Sequence, residues 1–492
     1  MCKWSWKLVK KEFPPLSSAP ALPVPAAEET TELPEGQDRL GSSSIMRLGE
    51  NLSQSTTMAK PIIRDIVNRY RPDLRPFEVI YKDLHQHPEL SCQEKRTSAI
   101  AAKHIQSLDF SVRQNVGGYG VVGVLRNGSG PSVMLRAEMD ALPILEKTNL
   151  PYASTVRMVD SDGEEKPVSH ACGHDMHVTC LMAASTLLRA ASDDWKGTLI
   201  CIFQPNEERG AGAQAMVDDG LYSKSYAPTP DVVLAQHVVN IRAGYVATRE
   251  GPSLAGKKVF EVRLHGRGGH GSAPQDCIDP VVLAAYILVR LQGIISRERD
   301  PNKMALITCG SIHAGDAPNV IPDEAVLKID IRAYSHSVLE KTVAAFKRVV
   351  AAECEASAVT QQPEIKEIES APPLASDPTV VRALTENFKT YFGSWTEEMK
   401  LDTASDDFPI LAPKGVPYAY WNFGSEDHDT WEKAKRNGKL NELPGNHSAF
   451  YAPLIEPTLK AGIDAIAIAA LTFLNTDDVS SRRNRSQLRE NK

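Results

Sequence analysis

"HVTCLMAASTLLRAASDDWKGTLICIFQ" (177–204) reads as an apolar helix, a polar turn and a short buried strand. Three further apolar runs of the same buried type surround it: "YGVVGVLR" (119–126), "SVMLRAEM" (132–139) and "DVVLAQHV" (231–238). Their apolar character is continuous rather than alternating, as expected of strands covered on both faces. Strand–helix–strand alternation of this kind predicts a largely parallel sheet with helices packed on it, an α/β architecture.

After residue 250 the texture changes. "KKVFEVRLHG" (257–266) alternates as a half-exposed strand does, and "DPVVLAAYILVRLQGIIS" (279–296) is a helix with Pro280 in its first turn. "KMALITCGSIHAG" and "AVLKIDIRAY" read as strands, "SVLEKTVAAFKRVVAAECEA" as a second long helix, and "PEIKEIES" as a last strand. That β-α-β-β-α-β order predicts a split βαβ, two-layer α+β unit over 252–370. It interrupts a larger α/β domain formed by 60–251 and 371–476. Residues 1–59, rich in Pro, Ser, Ala and Glu, have little to bury and are expected to be disordered. The polar tail 477–492 is expected to fray.

Composition narrows the function classes. Apolar residues at 42% and charged residues at 24% suit a soluble globular chain with a sizeable core. A net charge of −7 argues against nucleic acid or an anionic membrane as the main partner. The most apolar stretch, "AGIDAIAIAALTFL" (461–474), is too short to span a bilayer and carries Asp464, so it reads as a core helix. Eight scattered cysteines without a CxxC pair fit free thiols in a reducing compartment, and a cytoplasmic enzyme is the expectation.

Several segments carry chemistry. In "SHACGHDMH" (169–177), Cys172 and His174 lie two apart, and a thiolate with an imidazole suits a borderline-soft divalent metal. The stretch alone serves equally well as a polar loop, and His177, at the start of the helix, is expected to support rather than to ligate. "IFQPNEERG" ends a strand in Glu207 and Glu208, which could divide into a ligand and a general base or form a solvated pair opening a helix. "DVVLAQHV" delivers His237, "VMLRAEMDALP" delivers Glu138 and Asp140, and "LPGNHSAF" presents His447 in a glycine-bearing loop. Singly each is weak; together they set ligand-type residues at or beside several strand ends, where α/β proteins gather their sites. "HGRGGHG" (265–271) satisfies G-x-G-x-x-G, but no helix opens at its third glycine, so a loop displaying His270 is preferred to a dinucleotide site.

"HQHPELS", "RAEMDALP", "HACGHDMH", "FQPNEE", "GRGGHGSAP" and "NVIPDEA", in this order, resemble the metallo-amidohydrolases of the aminoacylase/carboxypeptidase G family. The likeness spans roughly 60–475 and is nearest to the hippurate and indole-acetyl-amino-acid hydrolases. It implies a metal-dependent exopeptidase-like α/β domain with an inserted lid and dimerisation domain. Two divalent ions per subunit (Zn²⁺ or Mn²⁺, with Co²⁺ a further option) would be held by Cys172, His174, Glu208, His237 and His447. Glu207 resembles the family's general base, and Asp140 or Glu138 its support for the metal site. His270 resembles a histidine that reaches a neighbouring subunit's site in a homodimer. Asn319 and Arg332 match positions that help hold a substrate carboxylate.

The implied reaction is hydrolysis of an N-acyl amino acid or similar amide to a carboxylic acid and an amino acid. A dipeptidase or carboxypeptidase with the same centre, and a catalytically retired binding or scaffold protein, are the rival readings. Three departures touch specificity rather than the ligand set: Glu138 stands where an Asp is usual, Gln275 where a His is usual, and "NHSAFYAP" lacks a common proline.

Overall fold

The structure, a computed structural model, describes residues 60–474, so the expectations for the N-terminal extension and the polar tail lie outside the described residues. Three helices open the described residues: α1 (Lys60–Tyr70), α2 (Arg75–Gln86) and α3 (Lys95–Gln106). A hairpin of β1 (Ser111–Val116) and β2 (Gly120–Asn127) follows, then β3 (Ser132–Glu138), α4 (His174–Ala190), β4 (Gly197–Gln204), α5 (Gly212–Asp218), β5 (Val232–Arg242) and β6 (Val246–Thr248). The hairpin turn needs glycine. Gly117 has φ +62°, and a Cβ there would lie 2.3 Å from the Met216 amide nitrogen.

The next elements build a separate layer: β7 (Gly256–His265), the two-residue β8 (Gly269–His270), α6 (Pro280–Gly293), β9 (Ala305–His313), the two-residue β10 (Val320–Ile321), β11 (Glu324–Ala333), α7 (His336–Ala356) and β12 (Glu364–Ala371). The four long strands pair antiparallel in the order β9-β11-β7-β12. Phe260, Val262 and Leu264 alternate with polar residues, as do Leu327, Ile329 and Ile331, and they bury one face against α6 and α7. Lys257 and Arg332, directly opposite each other in the ladder, fall on the face away from these helices.

Two features of this layer settle points of the sequence reading. The glycines of "HGRGGHG" serve packing: a Cβ on Gly266 would meet the Ile278 carbonyl at 2.5 Å, and one on Gly268 the Ile321 carbonyl at 2.8 Å. The nearest helix, α6, is capped by the Asp279 carboxylate, which accepts from Val281 and Val282 and fills the place a pyrophosphate would need. The run Pro280–Glu298 is long and apolar enough by composition to cross a membrane. Its Leu283, Ala284, Ile287 and Leu291 nevertheless pack into the core of this layer.

The chain then returns through α8 (Pro378–Phe392), β13 (Thr396–Glu398), β14 (Tyr418–Glu426), α9 (His428–Arg436) and α10 (Thr458–Phe473). The large sheet has eight strands in the order β1-β2-β4-β3-β5-β14-β6-β13. Its centre, β4-β3-β5-β14, is parallel, but β1/β2, β2/β4 and β14/β6 are antiparallel. The sheet is therefore mixed rather than largely parallel. A continuous apolar run reports burial on both faces, not strand direction, and the tight Gly117–Gly118 turn forces β2 back against β1. Helices α4 and α10 are apolar almost all round and fill the core on one face. Asp464, the polar residue in α10, is held by Arg71 (2.7 and 3.0 Å), Lys460 (2.8 Å) and Tyr391 (2.9 Å).

Candidate metal centre

The parallel strands β3, β4, β5 and β14 end on one edge of the sheet, and the chemistry-bearing segments meet there. Gly173 turns the chain between Cys172 and His174 with φ +82°. A Cβ at that position would strike Val238 Cγ1 at 2.4 Å, so only glycine allows both neighbours to be buried. Helix α4 begins at His174, not at His177 as the apolar pattern suggested. The apolar repeat starts only at Val178, whereas the first turn carries Asp175, whose carboxylate accepts from the Met176 N–H at 2.9 Å.

His174 and His237 are each aimed by their other nitrogen. His174 Nδ1 lies 2.8 Å from the Asp140 carbonyl, which can only accept, so Nδ1 carries the hydrogen and Nε2 presents a lone pair. That Nε2 faces Glu208 Oε1 at 3.8 Å and Glu207 Oε2 at 3.9 Å. His237 donates from Nδ1 to the Val238 carbonyl (2.8 Å), leaving Nε2 3.5 Å from Cys172 Sγ. His447 Nε2 lies 3.3 Å from Glu208 Oε2. Its backbone has φ +68°, fixed by its N–H on the Ala171 carbonyl (2.7 Å), while Asn446 ties that loop to the Cys172 and Val238 carbonyls, both at 3.0 Å.

His237 is not at a strand end, since β5 runs on to Arg242. Pairing of β5 with β3 stops at Ala235, two residues before His237.

The two acids beside the centre differ in what they touch. Asp140 Oδ2 accepts from the Glu208 N–H (3.0 Å) and Ser91 Oγ (2.7 Å), while its Oδ1 lies 3.4 Å from His174 Nδ1. Asp140 thus touches two of the proposed ligands. Glu138 instead binds His177 Nδ1 (2.8 Å) and the buried Arg136. His177 Nε2 accepts from the Val238 N–H at 2.8 Å, so both its nitrogens are engaged and it has no lone pair to give a metal.

Donor atoms of Cys172, Glu208 and His447 lie within 4.8 Å of one another, as do those of His174, Glu207 and Glu208. His174 Nε2 and Glu208 Oε1 are buried without a hydrogen-bond partner, which is costly unless a cation meets them. Burial pushes the Cys172 thiol well up, with Glu208 and Glu207 adding, so a cation is needed to hold it as thiolate. Burial likewise raises Glu207 well above the usual carboxylate range, helped by Asp406 and Glu208. A thiol, imidazoles and carboxylates that converge with unpaired atoms fit divalent metal.

Cys172, Glu207, Glu208, His237 and His447 line a cavity of about 530 Å³ whose lining also includes Lys257 and Arg332. His270 and Asn319 are not in its lining. They lie on the exposed β8/β10 pair and its margin: His270 pairs with Val320, the Gly271 N–H donates to the Asn319 carbonyl (2.7 Å), and His270 Nδ1 accepts from the Ser272 N–H at 3.1 Å. Sequence reasoning missed Arg136, Asp406 and Asp407, a buried set beside Glu207 in which Arg136 meets Asp406 at 2.8 Å and Asp407 at 3.3 Å. The signal was the adjacent acids of "ASDDFP" (404–409) beside an otherwise apolar loop.

Residues 134–445 match the model of peptidase family M20/M25/M40. The chain is 33% identical over 421 residues to thermostable carboxypeptidase 1 of Saccharolobus solfataricus, covering 84% of this chain and 100% of that one. It is 36% identical over 391 residues to the hippurate hydrolase of Campylobacter jejuni, covering 78% and 97%. A dinuclear metal-binding peptidase of the M20 family from Bacillus subtilis superposes with a TM-score of 0.62 at 25% identity, over 80% of this chain and 97% of its own. This chain therefore belongs to peptidase family M20/M25/M40 and is a metal-dependent hydrolase of amide bonds.

Proposed function

We propose that the protein hydrolyses N-acyl amino acids, or closely similar amide conjugates, to a carboxylic acid and a free amino acid. The observation that carries this reading is the convergence of Cys172, His174, Glu208, His237 and His447 with Glu207 beside them, in a cavity large enough for a small conjugate. The five would hold two divalent ions, Zn²⁺ or Mn²⁺ with Co²⁺ a further option. When bound, these supply Lewis acidity and a nucleophilic water at neutral pH. Glu207, kept proton-hungry by burial, takes the water's proton and passes it to the departing amine nitrogen. Asp140 holds His174 and the Glu208 backbone in register while charge moves through the site.

Residues 252–370 would act as the lid and dimerisation domain of a catalytic domain formed by 60–251 and 371–476. Arg332 would meet a substrate carboxylate, since it lines the cavity and donates to the Thr403 carbonyl (2.7 Å) across the layers. A homodimer is supported by the exposed apolar face of α6, where Tyr286 is 61% and Val289 74% exposed. His270 and Asn319 would then complete the partner's site, His270 donating to the developing oxyanion. Free thiols such as Cys180, Cys201 and Cys354 support a cytoplasmic setting.

The test is metal-supplemented hydrolysis of a panel of N-acyl amino acids and dipeptides, read as released amine. Faster turnover of N-acyl amino acids is expected. A preference for unblocked dipeptides would favour the carboxypeptidase reading that one relative's name supports.

A further inference from the structure

The cavity that the donor cluster lines also carries two cations, where recognition of one carboxylate needs one. Lys257 and Arg332 stand directly opposite each other on β7 and β11, on the same helix-free face of the small sheet, and both line the cavity. Directly opposed residues of an antiparallel pair have Cβ atoms about 5 Å apart, so the two heads can serve neighbouring anionic groups. Lys257 also packs over the turn that carries the adjacent glutamates. A side chain beginning at Gly210 would lie 3.7 Å from Lys257 Cε and 4.0 Å from Nζ, and the Gly210 N–H donates to the Glu207 carbonyl at 2.6 Å.

Neither head is exhausted by its protein partners. The Lys257 ammonium meets Glu369 at 2.8 Å, a half-exposed carboxylate that takes one of three N–H donors. Arg332 spends Nε on Asp330 (2.9 Å) and Nη1 on the Thr403 carbonyl (2.7 Å). Of the acids that line the cavity, Asp406 and Asp407 are paired with Arg136, and Glu207 and Glu208 belong to the donor cluster whose charge bound metal would offset.

We infer that Lys257 is a specificity residue for a second carboxylate, so that the preferred substrates are conjugates of acidic amino acids, with one carboxylate on Arg332 and the other on Lys257. This rests on the reading of the protein as an N-acyl amino acid hydrolase. The test compares kcat/KM of the metal-loaded enzyme on N-benzoyl-L-glutamate and N-benzoyl-L-glutamine, which differ by one charge at nearly constant shape. Wild type should prefer the glutamate conjugate by roughly tenfold or more, the scale of one hydrogen bond to a charged group. In Lys257→Met that ratio should fall towards one, and in Glu369→Gln, which removes the competing carboxylate, it should rise. No preference in wild type, or an equal loss on both substrates in Lys257→Met, overturns the inference while leaving the hydrolase reading intact. Hydrolysis of neither conjugate by metal-loaded enzyme overturns both.

Discussion

The histidines of the buried centre and the lone His270 on its loop are held in opposite ways. The rings of His174 and His237 are each oriented by a backbone carbonyl, the half-exposed His447 is held through its backbone N–H, the groups are drawn from four segments, and a single chain brings them together. Around His270 the ladder is two residues long, the imidazole is exposed, and only Ser272 orients it. A centre that holds a cation has to be rigid before the cation arrives, because its donors are costly to bury unpaired. A group that serves a neighbour's site can stay exposed until the neighbour covers it.

The contrast is sharpest at Glu207. Glu207→Gln should keep bound metal and lose hydrolysis by about 10²–10⁴-fold, the range for a positioned proton-transfer group. Near-normal turnover with metal retained would remove Glu207 from the role of base. If the exposed loop supplies an oxyanion donor, as proposed, His270→Ala should lose about 10²–10³-fold in kcat with no change in metal content. Mixing that variant with Glu207→Gln subunits should restore part of the activity. No recovery on subunit exchange would mean the site is completed within one chain.

Asp140→Asn probes the buried region through its support. It should weaken metal affinity by about 10–100-fold, since the Asp140 side chain accepts from the Glu208 N–H and stands beside His174. Metal affinity equal to wild type would show that backbone contacts alone aim His174.

The smallest expected effect is on stability, below the centre. His85 is buried between Asp175 (2.7 Å) and Glu146 (3.1 Å). Burial disfavours its charge, but the Asp175 and Glu146 carboxylates outweigh burial and raise its pKa from 6.5 to about 9. A group with a raised folded pKa stabilises fully below its unfolded value and loses that contribution as pH climbs through the folded one. Wild type should therefore lose on the order of 1–2 kcal/mol between pH 7 and 10, more than His85→Gln loses, in thermal or urea unfolding. Parallel pH profiles would show that His85 is neutral in the folded protein.

Helices and strands were legible because their apolar runs and caps are local, as at Asp279 and Pro280 of α6. Strand direction was not, because β2 and β3 carry the same buried pattern although one runs antiparallel to β4 and the other parallel. For the centre, Cys172 and His174 were visible as a spacing, and Glu207 and Glu208 as a pair. Their meeting with His447, far along the chain, is set by sheet order and by the left-handed turn at His447, neither of which is written in a local pattern. Asp406, Asp407 and Arg136 were hidden because acidic residues beside an apolar loop usually face solvent, and only the fold shows Arg136 buried among them.

The central claim is that five residues of one chain hold two metal ions, and metal content measures it most directly. Elemental analysis of protein purified without chelators should find close to two divalent ions per subunit, and clearly fewer in His174→Ala protein that keeps its fold. Wild-type protein that is folded, loaded with excess Zn²⁺ or Mn²⁺, and still holds no stoichiometric metal would contradict the account.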